Sequence, residues 1–190
     1  MLFDYLPPGP IVLDASAIIN LLGCGEMERV LQTLEATCIV EERTLNEVQR
    51  HPVPGNDHIS VIDNLRQCGR LQVDRMSDDE YDIYLALAQG SLTSRLDIGE
   101  SAAIALASRG YPVVVDENKA RSVLTRRFPE VRFCSTLRLL LSAGKRGLWT
   151  VEYVQGLVFA ACRHARMGVP RDERGDLDRL MDGHSGWPIN

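Results

Sequence analysis

Four acidic residues lie where the strands and helices of an alternating chain change over. Asp14 ends the apolar run in IVLDASAIIN, Glu47 lies in EERTLNEV after the next apolar strand, Glu100 opens the helix ESAAIALASRG, and Asp116 ends the strand YPVVVDE. Parallel α/β sheets bind ligands in the crevice outside the carboxyl ends of their strands, so two strand-terminal carboxylates should face a common cleft. Carboxylates gathered this closely repel one another and take raised pKa values unless a cation neutralises them. Mg2+ and Mn2+ favour such oxygen donors and keep several waters. The grouping therefore reads as a metal site, and a metal so held lowers the pKa of bound water and stabilises charge on a phosphoryl oxygen. Taken singly, each acid has a plainer role. Asp14 and Asp116 would be caps or loop residues, Glu47 a solvated helix residue, and Glu100 an acid favoured by the helix dipole. Only their joint placement argues for chemistry.

The elements that must carry these acids alternate along the chain. GPIVLDAS reads as a buried strand and AIINLLGCG as a helix ending at glycines. EMERVLQTLEAT sets Met27, Val30, Leu31 and Leu34 on one helical stripe, CIVEE is a short strand, and TLNEVQRHPV is a helix terminated by Pro. A helix around ISVIDNLRQ and a strand LQVDRM come next. In SDDEYDIYLALAQG, Ser77 and Glu80 have capping-box spacing in front of an apolar helix. The loop SLTSRLDIG leads into ESAAIALASRG and YPVVVDE, followed by a helix NKARSVLTRRF, a strand VRFCS and a helix TLRLLLSAGKRG. Short apolar strands alternating with helices imply an α/β fold, a three-layer α-β-α sandwich around a mainly parallel sheet. Residues 1–150 form the main domain in this reading. Residues 151–190 supply a C-terminal helix, VEYVQGLVFAACRHARM, and a polar tail packed on it or extending it.

A chain of 190 residues is long enough to bury a substantial core as one domain. No apolar run approaches the roughly 20 residues of a membrane span, and the Pro-rich lead-in MLFDYLPPGP lacks the basic region and long apolar core of a signal peptide. A cytoplasmic protein without membrane contact is expected. Five cysteines, at 24, 38, 68, 134 and 162, lack CxxC or His/Cys ligand spacing, which argues for reduced thiols over a disulfide framework or structural zinc. His51, His58, His164 and His184 show no metal-ligand spacing, and Trp149 and Trp187 read as packing residues. The formal charge is -5, yet basic residues collect late, at Lys119, Arg121, Arg126, Arg127, Lys145, Arg146, Arg163 and Arg166. A local positive face beside an acidic site is compatible with that distribution.

The segments IVLDASAIINLL, EERTLNEV, LDIGESAAIALASRGYPVVVDENKAR and STLRLLLSAGKRGL resemble, in order and spacing, the PIN-domain proteins over roughly residues 10 to 150. The likeness is nearest to VapC-like toxin ribonucleases with a GEAEAIALA-type helix. It implies a PIN-like fold and an Mg2+- or Mn2+-dependent ribonuclease of the kind used as a toxin, with an antitoxin protein as partner. Asp14, Glu47, Glu100 and Asp116 match the family's four acids, and Ser16 its small polar residue after the first. Ala102 replaces a second Glu of the helix, which leaves Glu100 as the main candidate and Asp97 as its alternate. Asp116 is favoured over Glu117 as the fourth ligand. Ser135 stands where a glycine is usual before Thr136, so Thr136 is either a site residue or the cap of the following helix. Arg121, about one turn beyond the strand-end acids, either reaches a phosphate or lies on a solvated helix face.

Three functions compete at this stage. The first is a metal-dependent endoribonuclease acting on RNA, with a homodimer or antitoxin interface on YDIYLALA or VEYVQGLVFAA. The second is a PIN-like scaffold with incomplete acids that binds RNA or protein without cutting. The third, a phosphoacceptor at Asp14, is weakened by the absence of a second Asp two residues on.

Overall fold

A computed structural model describes residues 9–90 and 95–182. Most of the Pro-rich lead-in, residues 91–94 of the loop, and the end of the tail with His184 and Trp187 lie outside them. Five parallel strands form one sheet: β1 (Gly9–Leu13), β2 (Ala36–Glu41), β3 (Leu71–Asp74), β4 (Val113–Val114) and β5 (Phe133–Cys134). Their spatial order is β3-β2-β1-β4-β5. The chain therefore starts at the middle, builds outward on one side, and returns to build the other. The strand order reverses between β1 and β4, the switch point where open α/β sheets leave a crevice. The register Leu13↔Val114 sets Asp14 and Asp116 just beyond the paired ends of these two strands.

Alternation along the strands sorts side chains into two cores. Ile11, Leu13, Cys38, Val40 and Val114 face one layer, while Val12, Ile39, Val113 and Val115 face the other. The first layer includes α1 (Ala15–Cys24), α2 (Met27–Leu34), α4 (His58–Gln67), α8 (Thr136–Arg146) and α9 (Val151–Ala160). The second is built on α5 (Asp78–Ala88), α6 (Ile98–Ala107) and α7 (Asn118–Arg127). The fold is thus the three-layer α/β sandwich expected. Ser77 and Glu80 do close a capping box at the start of α5. Trp149 is buried, edge-on to Tyr153 at 5.2 Å. All five cysteines are free, three of them buried. Among the described residues no helix is long and apolar enough to cross a membrane.

Two segments differ from expectation. The helix expected to run to the proline at 52 is only α3 (Glu42–Asn46), and Glu47 is its C-terminal cap. Pro52 and Pro54 deny the next turns their donors and disfavour helical geometry in the residues before them. The tail, expected to pack on the domain or extend it, also contains a helix that its polarity does not announce. A turn of 3-10 helix (Arg171–Glu173) leads into α10 (Arg174–Met181), whose Leu180 is fully buried and whose Leu177 packs on the same core. Gln155 of α9 donates to the Leu180 carbonyl at 2.6 Å.

Candidate active site

Each strand-end acid is held by the helix that follows a strand. Asp14 caps α1: its Oδ1 accepts from the Ala17 amide at 2.7 Å, and the Ser16 hydroxyl donates to both carboxylate oxygens at 2.9 Å. Amides of the first helical turn have no partner within their own helix, so a carboxylate there is fixed by the backbone itself. Asp116 is bound from two helices at once. Thr136 donates its amide to Oδ1 at 2.7 Å and its hydroxyl to Oδ2 at 2.6 Å, and Asn20 of α1 donates to Oδ2 at 2.8 Å. The cap of α8 is Ser135, which accepts from the Arg138 amide at 3.0 Å. Thr136 therefore does not cap its helix; it orients Asp116.

The other two acids meet at the start of α6. Glu100, buried in its first turn, accepts from the Asp97 amide at 3.3 Å. Glu47 reaches across from the end of α3 so that its carboxyl lies against Gly99. A Cβ at position 99 would lie 2.9 Å from Glu47 Oε2, so the close approach needs glycine. Asp97, Glu100 and Glu117 bring ligand oxygens within 4.8 Å of one another. Asp116 and Glu117 thus occupy different places: the first is buried and triply bonded, the second exposed and turned toward Glu100. Asn20 and Gly99 had not been singled out from the sequence. Their signals were one amide inside the apolar AIINLL, and one glycine next to a candidate acid.

Arg121 takes neither role foreseen for it. It is buried, with its guanidinium 2.9 Å from both Asp172 and the fully buried Glu173, and 5.3 Å from the Phe133 ring centre. Glu173 also accepts from the Ser135 hydroxyl. The serine that stands in place of a glycine is thereby tied to the C-terminal segment.

Burial and mutual repulsion raise the proton affinity of these acids. Burial, followed by the charge of Asp116, pushes Asp14 up to about 7. Burial, followed by Glu117, pushes Glu100 up to about 8. Asp116 is raised because its burial outweighs the bonds from Thr136 and Asn20, and Glu47 is raised by burial. A divalent cation removes that penalty, and the all-carboxylate donor set suits a hard ion. Asp14, Glu47, Glu100 and Asp116, with Asp97 and Glu117 beside them, line one cleft of about 480 Å³. A larger hollow of about 840 Å³, near the α1–α2 turn, holds none of these six acids and is not the candidate site.

A family model described as a PIN domain matches residues 10–164, from β1 through α9 and most of the turn after it. The chain belongs to the PIN-domain family. PIN domains are typically metal-dependent nucleases, and the acidic cluster of this PIN domain lies at the crevice of its sheet. Neither the curated proteins nor the solved structures give a significant match.

Proposed function

We propose that this PIN domain is a metal-dependent endoribonuclease, with Asp14, Glu47, Glu100 and Asp116 holding Mg2+ or Mn2+ and Asp97 and Glu117 completing the acidic wall. The observation that carries the reading is the convergence of these acids in one cleft, two of them with carboxyls pushed up to about 7 and 8. The ion, when bound, supplies a water of lowered pKa and stabilises charge on the phosphoryl oxygens. The chain's own residues supply alignment. Ser16 and the Ala17 amide fix Asp14, Thr136 and Asn20 fix Asp116, and Gly99 admits Glu47. Ligands locked by such outer bonds need little rearrangement when the site fills.

The toxin role and an antitoxin partner are inferred from the family resemblance. Support for a partner surface comes from Phe159 on α9, 59% exposed, and Tyr81 on α5, 38% exposed. A homodimer through either helix is read by light scattering. The scaffold alternative rests on Ala102, fully buried in α6 where many relatives carry a second acid. One assay separates the two. Purified protein should cut RNA with Mn2+ or Mg2+ and lose cleavage in Asp14→Asn and Asp116→Asn variants that still fold. Absence of both cleavage and ion binding in the unaltered protein overturns the enzyme reading.

A further inference from the structure

The acidic cleft poses an electrostatic problem for a polyanionic substrate. Among the described residues lining it, one carries a basic side chain: Arg166. It is exposed, and among the described residues its side chain has no hydrogen bond or ion pair, although six acids line the same cleft. It also lies two residues beyond the region matched by the family model.

Its backbone is unusual. Arg166 has φ 59° and ψ 38°, the left-handed conformation in which helices most often end on glycine. A side chain there is strained, and such strain persists only where surrounding structure over-determines it. Here both flanks are pinned. The preceding residues Ala161–Ala165 form a π turn, and the amides of Arg166 and Met167 both donate to the Ala161 carbonyl. Ala165 is seated against Gly23 of α1, where an added Cβ would come within 2.7 Å of the Ala165 Cβ. Downstream, Met167 and Pro170 are buried, and Glu173 is locked by Arg121 and Ser135. Arg166, with no side-chain partner among the described residues, is therefore held among the residues lining the carboxylate cleft by a turn pinned on both sides.

We propose that Arg166 is a substrate-positioning residue whose guanidinium grips a backbone phosphate of RNA lying over the acidic cleft. The proposal rests on the nuclease reading above. Two parallel N–H donors match the non-bridging oxygens of a phosphodiester, and a fixed cation at the rim offsets the repulsion between that strand and the acids. Arginine, strained where glycine would be relaxed, is then explained by what its side chain holds.

The test compares the full-length protein with Arg166→Gly and Arg166→Lys, using a labelled single-stranded oligoribonucleotide and Mn2+. Arg166→Gly should raise KM roughly ten-fold with kcat within about two-fold, and flatten the dependence of log kcat/KM on log salt by about 0.7 to 1. Its thermal midpoint should equal or exceed that of the unaltered protein, and its calorimetric Mn2+ affinity should be unchanged. Arg166→Lys should keep the salt slope and recover part of KM. An unchanged KM and salt slope in Arg166→Gly overturns the proposal, as does a fall in thermal midpoint or Mn2+ affinity that parallels lost activity. If the unaltered protein cuts no RNA, the nuclease reading fails first and takes this proposal with it.

Discussion

Replacing Asp14 by Asn should stabilise the metal-free protein at alkaline pH, although it removes a ligand. The Asp14 carboxyl titrates at about 7 in the fold against 3.8 for a free side chain, because burial and the neighbouring Asp116 penalise its charge. At a pH below about 4, folded and unfolded chains both hold the proton and nothing is lost. As the pH rises toward 7 the unfolded chain ionises while the folded chain keeps its proton, so stability falls; above about 7 the loss is complete. Three units at about 1.36 kcal/mol each give a penalty of about 4 kcal/mol. For a chain of this size that corresponds to a thermal shift on the order of 10 °C. Asn carries no charge and still offers an oxygen to the Ala17 amide, so the cap survives. In EDTA at about pH 8, Asp14→Asn should therefore be several kcal/mol more stable than the unaltered protein, and the gap should shrink by about 3 kcal/mol at about pH 5. Mn2+ should narrow the gap at high pH, since a ligand at 100 times its Kd adds about 2.7 kcal/mol to the protein that binds it. Urea unfolding followed by circular dichroism reads all three conditions. A variant less stable than the parent in EDTA at high pH, or a gap indifferent to pH, would refute the reasoning.

Gly99→Ala should fold as well as the parent, because Ala favours the first turn of α6 and the clash falls on the movable end of Glu47. Its Mn2+ affinity by calorimetry should drop about 10-fold or more as that carboxylate is pushed aside; unchanged affinity would remove Glu47 from the site. Glu173→Gln takes away the buried charge facing Arg121 and leaves Asp172 as its remaining anion. Breaking a buried pair costs about 3–5 kcal/mol, and the retained Asp172 should reduce this to about 2–3 kcal/mol in denaturant unfolding; a change below about 0.5 kcal/mol would show that the C-terminal segment does not brace α7 and α8.

What could be read in advance followed from local pattern. Ile11 to Leu13 and Tyr111 to Val115 announce buried strands, and an acid that ends such a strand is conspicuous, so Asp14 and Asp116 were visible before the fold. Asn20 and Gly99 were not, because their roles exist only between elements: Asn20 meets Asp116 across 96 residues of chain, and Gly99 matters because Glu47 arrives beside it. The role of Arg121 is hidden from the sequence for the same reason. Helical spacing tells which face a residue shares, but its partners come from 51 and 52 residues later. The α10 helix was hidden because Leu177 and Leu180 are its few apolar anchors among charges that read as tail.

These long-range pairings also change how the charge of the molecule should be read. Eight basic residues late in the chain are compatible with a local positive face, but the fold uses two of them internally. Arg121 is buried against Glu173, and Arg146 bonds the Leu34 carbonyl at 3.1 Å and pairs with Glu35 at 2.9 Å. Arg126 and Arg127 are exposed on α7, and Lys145 is exposed at the end of α8. Only Arg166 lines the acidic cleft among the described residues. Surface cations far from the site raise the rate of encounter and are screened by salt beyond about 8–10 Å, whereas one fixed at the rim acts within that range on the strand being held. On the reading proposed above, a net charge of -5 need not be offset by a broad basic surface: a cation among the carboxylates and Arg166 in the lining of the cleft would serve in its place.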